Sequence, residues 1–134
     1  MSLYVDSSAL LKRYVDEPES ERCESYLLAD PVWITGRHTY IEVRRNLCRL
    51  LAGAALADAR SQFDRDWQRM HVVELDQTTC DIAADFAELT GARTLDALHL
   101  AAANRAGQGA ITVLTFDIRQ AQAARAVGLT VVGV

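Results

Sequence analysis

The chain has 134 residues, half of them apolar and 24% charged, a balance that fits one globular domain over 1–134 and argues against disorder. Its longest uncharged apolar runs, such as Ala97 to Ala103, are too short to span a bilayer. A net charge of −4 supplies no global positive field of the kind that marks a general nucleic-acid binder.

Cys23, Cys48 and Cys80 are odd in number, widely spaced and without a C-x-x-C pair. That pattern argues against a disulfide framework or a zinc site. It points to a reducing cytoplasm, as does a start, Met1 to Asp6, that meets an acid at once and carries no basic leader.

Leu3-Tyr4-Val5 reads as a short buried strand closed by Asp6-Ser7-Ser8. Ala9 to Val15 continues as a helix with Leu10, Leu11 and Tyr14 on its apolar side; Pro18 breaks the chain, and Glu19 to Leu28 forms a second helix with an acid-rich first turn. After Pro31, Val32 to Thr35 reads as a strand. Gly36 turns the chain into a long helix from Thr39 to Ala52, with Gly53 as its stop. Leu56 to Met70 is a further amphipathic helix, and His71 to Leu75 a third strand.

Thr78 to Thr90 is helical and closes at Gly91. The stretch from Arg93 to Asn104 is rich in Ala and Leu, with Thr94 as its N-cap and Asp96 in its first turn, and Gly107-Gln108-Gly109 ends it. Ile111 to Thr115 is the clearest strand; Asp117 caps a helix from Ile118 to Val127, and Thr130 to Val132 is the last strand. Strands spaced by helices imply an α/β fold with a mainly parallel sheet covered on both faces.

In such folds ligands bind beyond the carboxyl ends of the strands. Asp6 and Asp117 each follow a strand, Asp96 begins a helix entering from a loop, and Glu42 lies in the first turns of the helix after Val32–Thr35. All four are placed to reach one crevice mouth. Each also has a plain structural role open to it: Asp6, Asp96 and Asp117 as helix-start residues bonding local N–H groups, and Glu42 in an exposed pair with Arg45 or Arg49.

Clustered carboxylates repel, so some should carry raised pKa values or hold a cation. Hard oxygen donors suit Mg²⁺ or Mn²⁺. With His38, His71 and His99 scattered along the chain, no histidine constellation competes; His99 reads as a hydrogen-bonded residue of the core or one supporting the site, not as a ligand. Such a metal site fits phosphoryl transfer, with water attacking in line with a scissile phosphorus. Ser7 and Thr115 stand beside the acids to orient a carboxylate or a water. Lys12, Arg13, Arg37, Arg44, Arg45, Arg49 and Arg119 form a candidate basic rim.

These motifs resemble the PIN domains, and within them the VapC-type toxins of toxin–antitoxin pairs. Tyr4 to Tyr14 with Glu17-Pro18-Glu19-Ser20 is similar to the family's opening, and Tyr40-Ile41-Glu42-Val43 to its central acidic helix. Leu95 to Ala103 and Leu114-Thr115-Phe116-Asp117 resemble its last two motifs. The resemblance implies a PIN-like three-layer α/β/α sandwich and a Mg²⁺- or Mn²⁺-dependent endoribonuclease. Its acidic set falls on Asp6, Glu42, Asp96 and Asp117, as metal ligands and catalytic residues. It also implies RNA cleavage leaving 5′-phosphate and 3′-hydroxyl ends, a homodimer, and inhibition by a VapB-like antitoxin covering a groove near the site. Leu11, Tyr14 and Trp33 are candidates for such surfaces or for the core.

Three rivals stand beside this reading. A phosphatase or receiver domain using Asp6 is disfavoured because a dehalogenase-like site wants an acid where Ser8 stands. A structure-specific DNA nuclease would need an arch or added domain that this short chain lacks room for. A catalytically silent metal-binding partner or co-repressor protein would need the same ligands as the enzyme.

Overall fold

The computed structural model describes residues 2–107 and 110–134. In chain order the elements are β1 (Ser2–Val5), α1 (Ser7–Tyr14), α2 (Ser20–Ala29), β2 (Trp33–Gly36), α3 (His38–Leu50), α4 (Gly53–Arg69), β3 (His71–Val73), α5 (Gln77–Thr90), α6 (Thr94–Gly107), β4 (Ile111–Thr115), α7 (Ile118–Ala126) and β5 (Thr130–Gly133).

All five strands are parallel, in the order β3-β2-β1-β4-β5. Period-two alternation divides their side chains between two cores. Leu3, Val5 and Leu114 face one way, against Ala9, Leu10, Leu27, Val43, Leu47 and Phe63 of α1 to α4. Tyr4, Ile34, Ile111 and Val113 face the other way, against Leu100, Ala102, Ala103 and Ala124 of α6 and α7. The result is the expected α/β/α sandwich with α5 packed outside α6. Small alanines line the buried side of α6, which lets that helix lie close to the sheet.

Boundaries differ from the sequence reading where turns were misjudged. The long third helix ends at Leu50, with Leu51 extended, and Gly53 begins α4 instead of stopping α3. At φ +57° Gly53 takes a left-handed conformation that glycine adopts without penalty, and so starts a helix three residues before Leu56. The third strand stops at Val73, short of Leu75. Thr94 is already helical, and the Arg93 carbonyl accepts the first bond of α6 from the Ala97 N–H. The expected stop at Gln108-Gly109 lies outside the described residues.

Leu11, Tyr14 and Trp33 all pack partly buried against the first core. The Tyr14 hydroxyl donates to Asp66 at 2.7 Å, and the Trp33 indole N–H donates to the carbonyls of Leu27 and Asp30. Arg13 completes this corner by pairing with Asp66 at 2.8 Å and with Glu24. A charged residue engaged this way ties α1 to α4 and is not available as a rim cation.

Candidate active site

The strand order places β1 beside β4, with the chain turning to opposite sides from that pair. This is the switch point at which parallel α/β sheets open a crevice. Asp6 leaves β1 there and Asp117 follows β4. The two helical layers add Glu42 from α3 and Asp96 from α6. All four carboxylates line one cleft of about 520 Å³, together with Ser7, Ser8, Arg93, Thr94, Leu95 and His99.

Asp6 is 3% exposed and holds two roles at once. Its Oδ1 accepts from the Ala9 N–H at 2.9 Å and the Ser8 hydroxyl at 2.7 Å, capping α1. Its Oδ2 accepts from the Thr115 hydroxyl. Burial pushes its pKa up, although His99, Thr115, Ala9 and Ser8 all pull the other way.

Asp117 likewise caps α7: its Oδ1 accepts from the Arg119 and Gln120 N–H groups at 2.9 and 3.2 Å. Capping and cleft lining coexist because each job uses one side of the carboxylate. Thr115 links the two acids, since its hydroxyl donates to Asp6 and accepts from the Asp117 N–H at 3.1 Å.

Asp96 does not fill the local role open to a helix-start acid. Among the described residues no main-chain N–H donates to it, and its only ionic partner is the exposed Arg93 at 3.6 Å. Burial and the neighbouring charge of Asp117 raise its pKa, more than Arg93 and His99 lower it. The Gln120 amide, itself buried, donates to the Asp96 carbonyl at 3.1 Å and holds the start of α6 against α7.

Glu42 turns away from Arg45 and Arg49. Its Oε1 lies 2.8 Å from His99 Nε2 and 3.9 Å from His38 Nε2. Burial alone would raise its pKa; the bond from His99 and the charges of the two histidines outweigh that and lower it.

Two of the three histidines, His38 and His99, therefore come together, which corrects the expectation from sequence that all three are scattered. His38 and His99 stack with ring centroids 4.1 Å apart. His99 fulfils its expected part: its Nδ1 lies 2.8 Å from the Tyr4 hydroxyl. Because Glu42 only accepts, Nε2 carries a proton towards it, and Nδ1 shares the second bond with the Tyr4 hydroxyl. Gly36 is required beneath this pair, since a Cβ there would come within 2.6 Å of the His38 ring. Burial and the neighbouring His99 push the His38 pKa down to about 4.

Sequence reasoning missed Ser8, Tyr4, His38 and Arg93. The signal for Ser8 was its position two residues after Asp6; His38 precedes Glu42 by four residues, one helical turn. The expected basic rim is largely engaged elsewhere. Arg13 pairs with Asp66, Arg37 with Glu74, Arg44 with the Tyr40 hydroxyl and Arg49 with Asn46; Lys12 donates to the Pro18 carbonyl. Arg119 remains beside the site. With Arg93 it lines a second cleft of about 460 Å³ that shares Arg93 and Asp96 with the acidic one.

The donor set suits a hard divalent cation. It consists of carboxylate and hydroxyl oxygens; burial holds Asp6 and Asp96 above their ordinary range, and the charge of Asp117 raises Asp96 further.

A parallel sandwich with an acidic cleft at its switch point defines a class of protein, and the comparisons narrow it. Residues 3–126 match the PIN domain, and the chain belongs to the PIN domain family. It is 33% identical to Ribonuclease VapC46 of Mycobacterium tuberculosis over 135 residues, covering 98% of this chain and 96% of that protein. Its fold is similar to that of the Mycobacterium tuberculosis toxin VapC20, described as cleaving the sarcin-ricin loop, with a TM-score of 0.75, 18% identity and 98% of each chain covered. It is also similar to a chain of the DNA-bound VapBC complex of Salmonella typhimurium, with a TM-score of 0.69, 17% identity and 98% of this chain and 96% of that one covered. Among the described residues, no helix is long and apolar enough to cross a membrane.

Proposed function

We propose that this chain is a VapC-like endoribonuclease that hydrolyses RNA phosphodiester bonds with Mg²⁺, or Mn²⁺ in its place. Asp6, Glu42, Asp96 and Asp117 would hold the metal, directly or through water. The observation that carries this reading is the convergence of four carboxylates from four separate elements on one cleft. The VapC46 likeness over almost the whole of both chains supports it.

When bound, the cation lowers the pKa of water and neutralises charge that develops on the phosphate. The protein's own groups do the rest. Thr115 and Ser8 fix the Asp6 carboxylate, and α6 holds Asp96 opposite it with its position set by Gln120. The Tyr4–His99 pair fixes Glu42. Arg93 and Arg119 stand where a phosphate backbone passing from one cleft to the next would need positive charge. Single-stranded or looped RNA fits an open cleft of this size better than a duplex, whose base edges are hidden.

The same reading carries a cognate VapB-like antitoxin as inhibitor, a homodimer as assembly and the cytoplasm as location. The test is mapping of new RNA 5′-phosphate ends after brief induction in a bacterial host, with Asp96→Asn as control. Ends at a defined site, seen only with the wild-type chain, are expected. Identical maps from both soluble proteins would favour a metal-binding co-repressor whose acidic pocket performs no chemistry.

A further inference from the structure

Beneath the carboxylate cluster lies a donor set of different chemistry. His38 opens α3, Glu42 stands one turn later, and His99 reaches both from the opposite helical layer. One donor atom from each residue can be chosen so that all three lie within 4.8 Å of one another. Two pairs are already close, at 2.8 Å for His99 Nε2 to Glu42 Oε1 and 3.9 Å for His38 Nε2 to the same oxygen.

His38 is the second observation. Its side chain is 4% exposed, yet among the described residues neither ring nitrogen has a well-formed hydrogen bond; the Leu95 carbonyl faces the ring without meeting that geometry. Buried polar atoms nearly always have a partner, and the usual partner for one that the protein leaves open is a water or an ion. The orphan ring stacks on His99 and faces the oxygen that His99 already holds.

We propose that His38, Glu42 and His99 bind a transition-metal ion of the zinc class, and that its capture of Glu42 switches off the hard-cation site. Two imidazoles and a carboxylate, with a fourth position open, form a donor set characteristic of Zn²⁺ and foreign to Mg²⁺. Ligand bonds of about 2.0–2.2 Å put neighbouring donors of a tetrahedral site roughly 3.3 Å apart, between the two distances observed. The ring of His99 keeps one proton and carries it on Nδ1, donating to the Tyr4 oxygen, the outer-sphere bond that metal-bound histidines habitually make. Nothing is oxidised or reduced. The ion enters through the cleft, which Glu42 and His99 both line. The regulatory half rests on the nuclease reading above; the binding half does not.

The experiment is titration of the metal-stripped full chain with Co²⁺, read by visible absorption, with Zn²⁺ then displacing the Co²⁺. His38→Leu and His38→Asn are the variants, their folding checked by circular dichroism. One equivalent of Co²⁺ with the absorption of a low-symmetry nitrogen–oxygen site is expected. The near-ultraviolet thiolate band that exposed Cys48 or Cys80 would give should be absent. Both variants should lose at least tenfold in Zn²⁺ affinity, and whatever Mg²⁺-dependent cleavage each retains should be insensitive to Zn²⁺ concentrations that inhibit the wild type. Equal affinity in wild type and both folded variants, or thiolate-type absorption, would overturn the site. Binding lost in the variants with cleavage equally Zn²⁺-sensitive would overturn the switch alone. A chain with no cleavage under any metal would sink the nuclease reading, while the absorption still decides the site.

Discussion

His99 Nε2 and Glu42 Oε1 lie 2.8 Å apart, and this one contact joins the two helical layers over the carboxyl ends of the strands. Without it Glu42 would be a mobile side chain on the polar face of α3. With it, one carboxylate oxygen is fixed where Glu42 lines the cleft. The Tyr4 hydroxyl, buried in the sheet, sets the ring from behind at 2.8 Å.

His99→Ala should therefore weaken Mg²⁺ affinity or turnover by about 10–100-fold, the usual effect of removing a group that orients a ligand. His99→Gln, whose amide can still donate, should recover part of that loss. Tyr4→Phe should act in the same direction and more weakly. Metal titrations of cleavage rate across the three variants check this. An unchanged Mg²⁺ dependence in a folded His99→Ala protein would make the contact merely structural.

Asp96 makes the opposite case, a residue the empty fold tolerates at a cost. Its raised pKa means the folded state binds its proton more tightly than the unfolded chain does. The stability it contributes is thus present at low pH and lost as pH rises through the folded value. Asp96→Asn removes that loss. Without metal, the variant should be more stable than wild type at neutral pH, by a modest amount because the side chain is partly exposed and screened. The gain should vanish below the ordinary carboxylate range, and cleavage should be abolished. Melting curves from pH 3 to 8 with a chelator test the first point, and the 5′-end assay the second.

His38 has the reverse sign of shift for a base. Its folded pKa falls from 6.5 to about 4, so between those values the unfolded chain takes up a proton that the folded chain refuses. Stability is then full above pH 6.5 and lost as pH falls toward 4, by up to about 3 kcal/mol. His38→Asn should flatten this limb. The comparison is best made in chelator by urea unfolding at pH 7 and pH 4.5; parallel losses in both proteins would assign the acid sensitivity elsewhere.

The sheet and the four acids were legible in the sequence because each rests on a local signal. Alternating apolar strands, glycine stops and strand-end acids need no knowledge of distant residues. Asp6 and Asp117 posed a choice between capping a helix and facing the crevice that the fold dissolves, since each caps its helix and lines the cleft. The histidine cluster was not legible in the same way. His38 and Glu42 share a helix face, but His99 stands 57 positions beyond Glu42, and only the placement of α3 and α6 on opposite faces of one sheet decides that they meet. The basic rim failed for a related reason. Arg13 and Arg37 look like free surface charges until Asp66 and Glu74 are brought against them by α4 and the segment after β3.

Arg93 and Arg119 are cations that this packing leaves beside the cleft, and among the described residues their charge has no buried ionic partner. Arg93 is 75% exposed and only 3.6 Å from Asp96, while Arg119 lends its main-chain N–H to Asp117 and leaves its guanidinium at the second cleft. If an RNA strand runs from the acidic cleft into that neighbour, each arginine meets a phosphate and releases a counterion. Arg93→Ala and Arg119→Ala should then raise KM several-fold with a smaller change in kcat. Each should also cut the salt dependence of binding, by about 0.7 in the slope of log K against log salt, the single-strand value for one phosphate. The effect should be uniform across RNA sequences, because phosphate contacts position without reading bases. Arg93→Lys should recover the slope, since charge alone carries it. A salt slope unchanged in both alanine variants would send the backbone along another face, past Arg45 on α3.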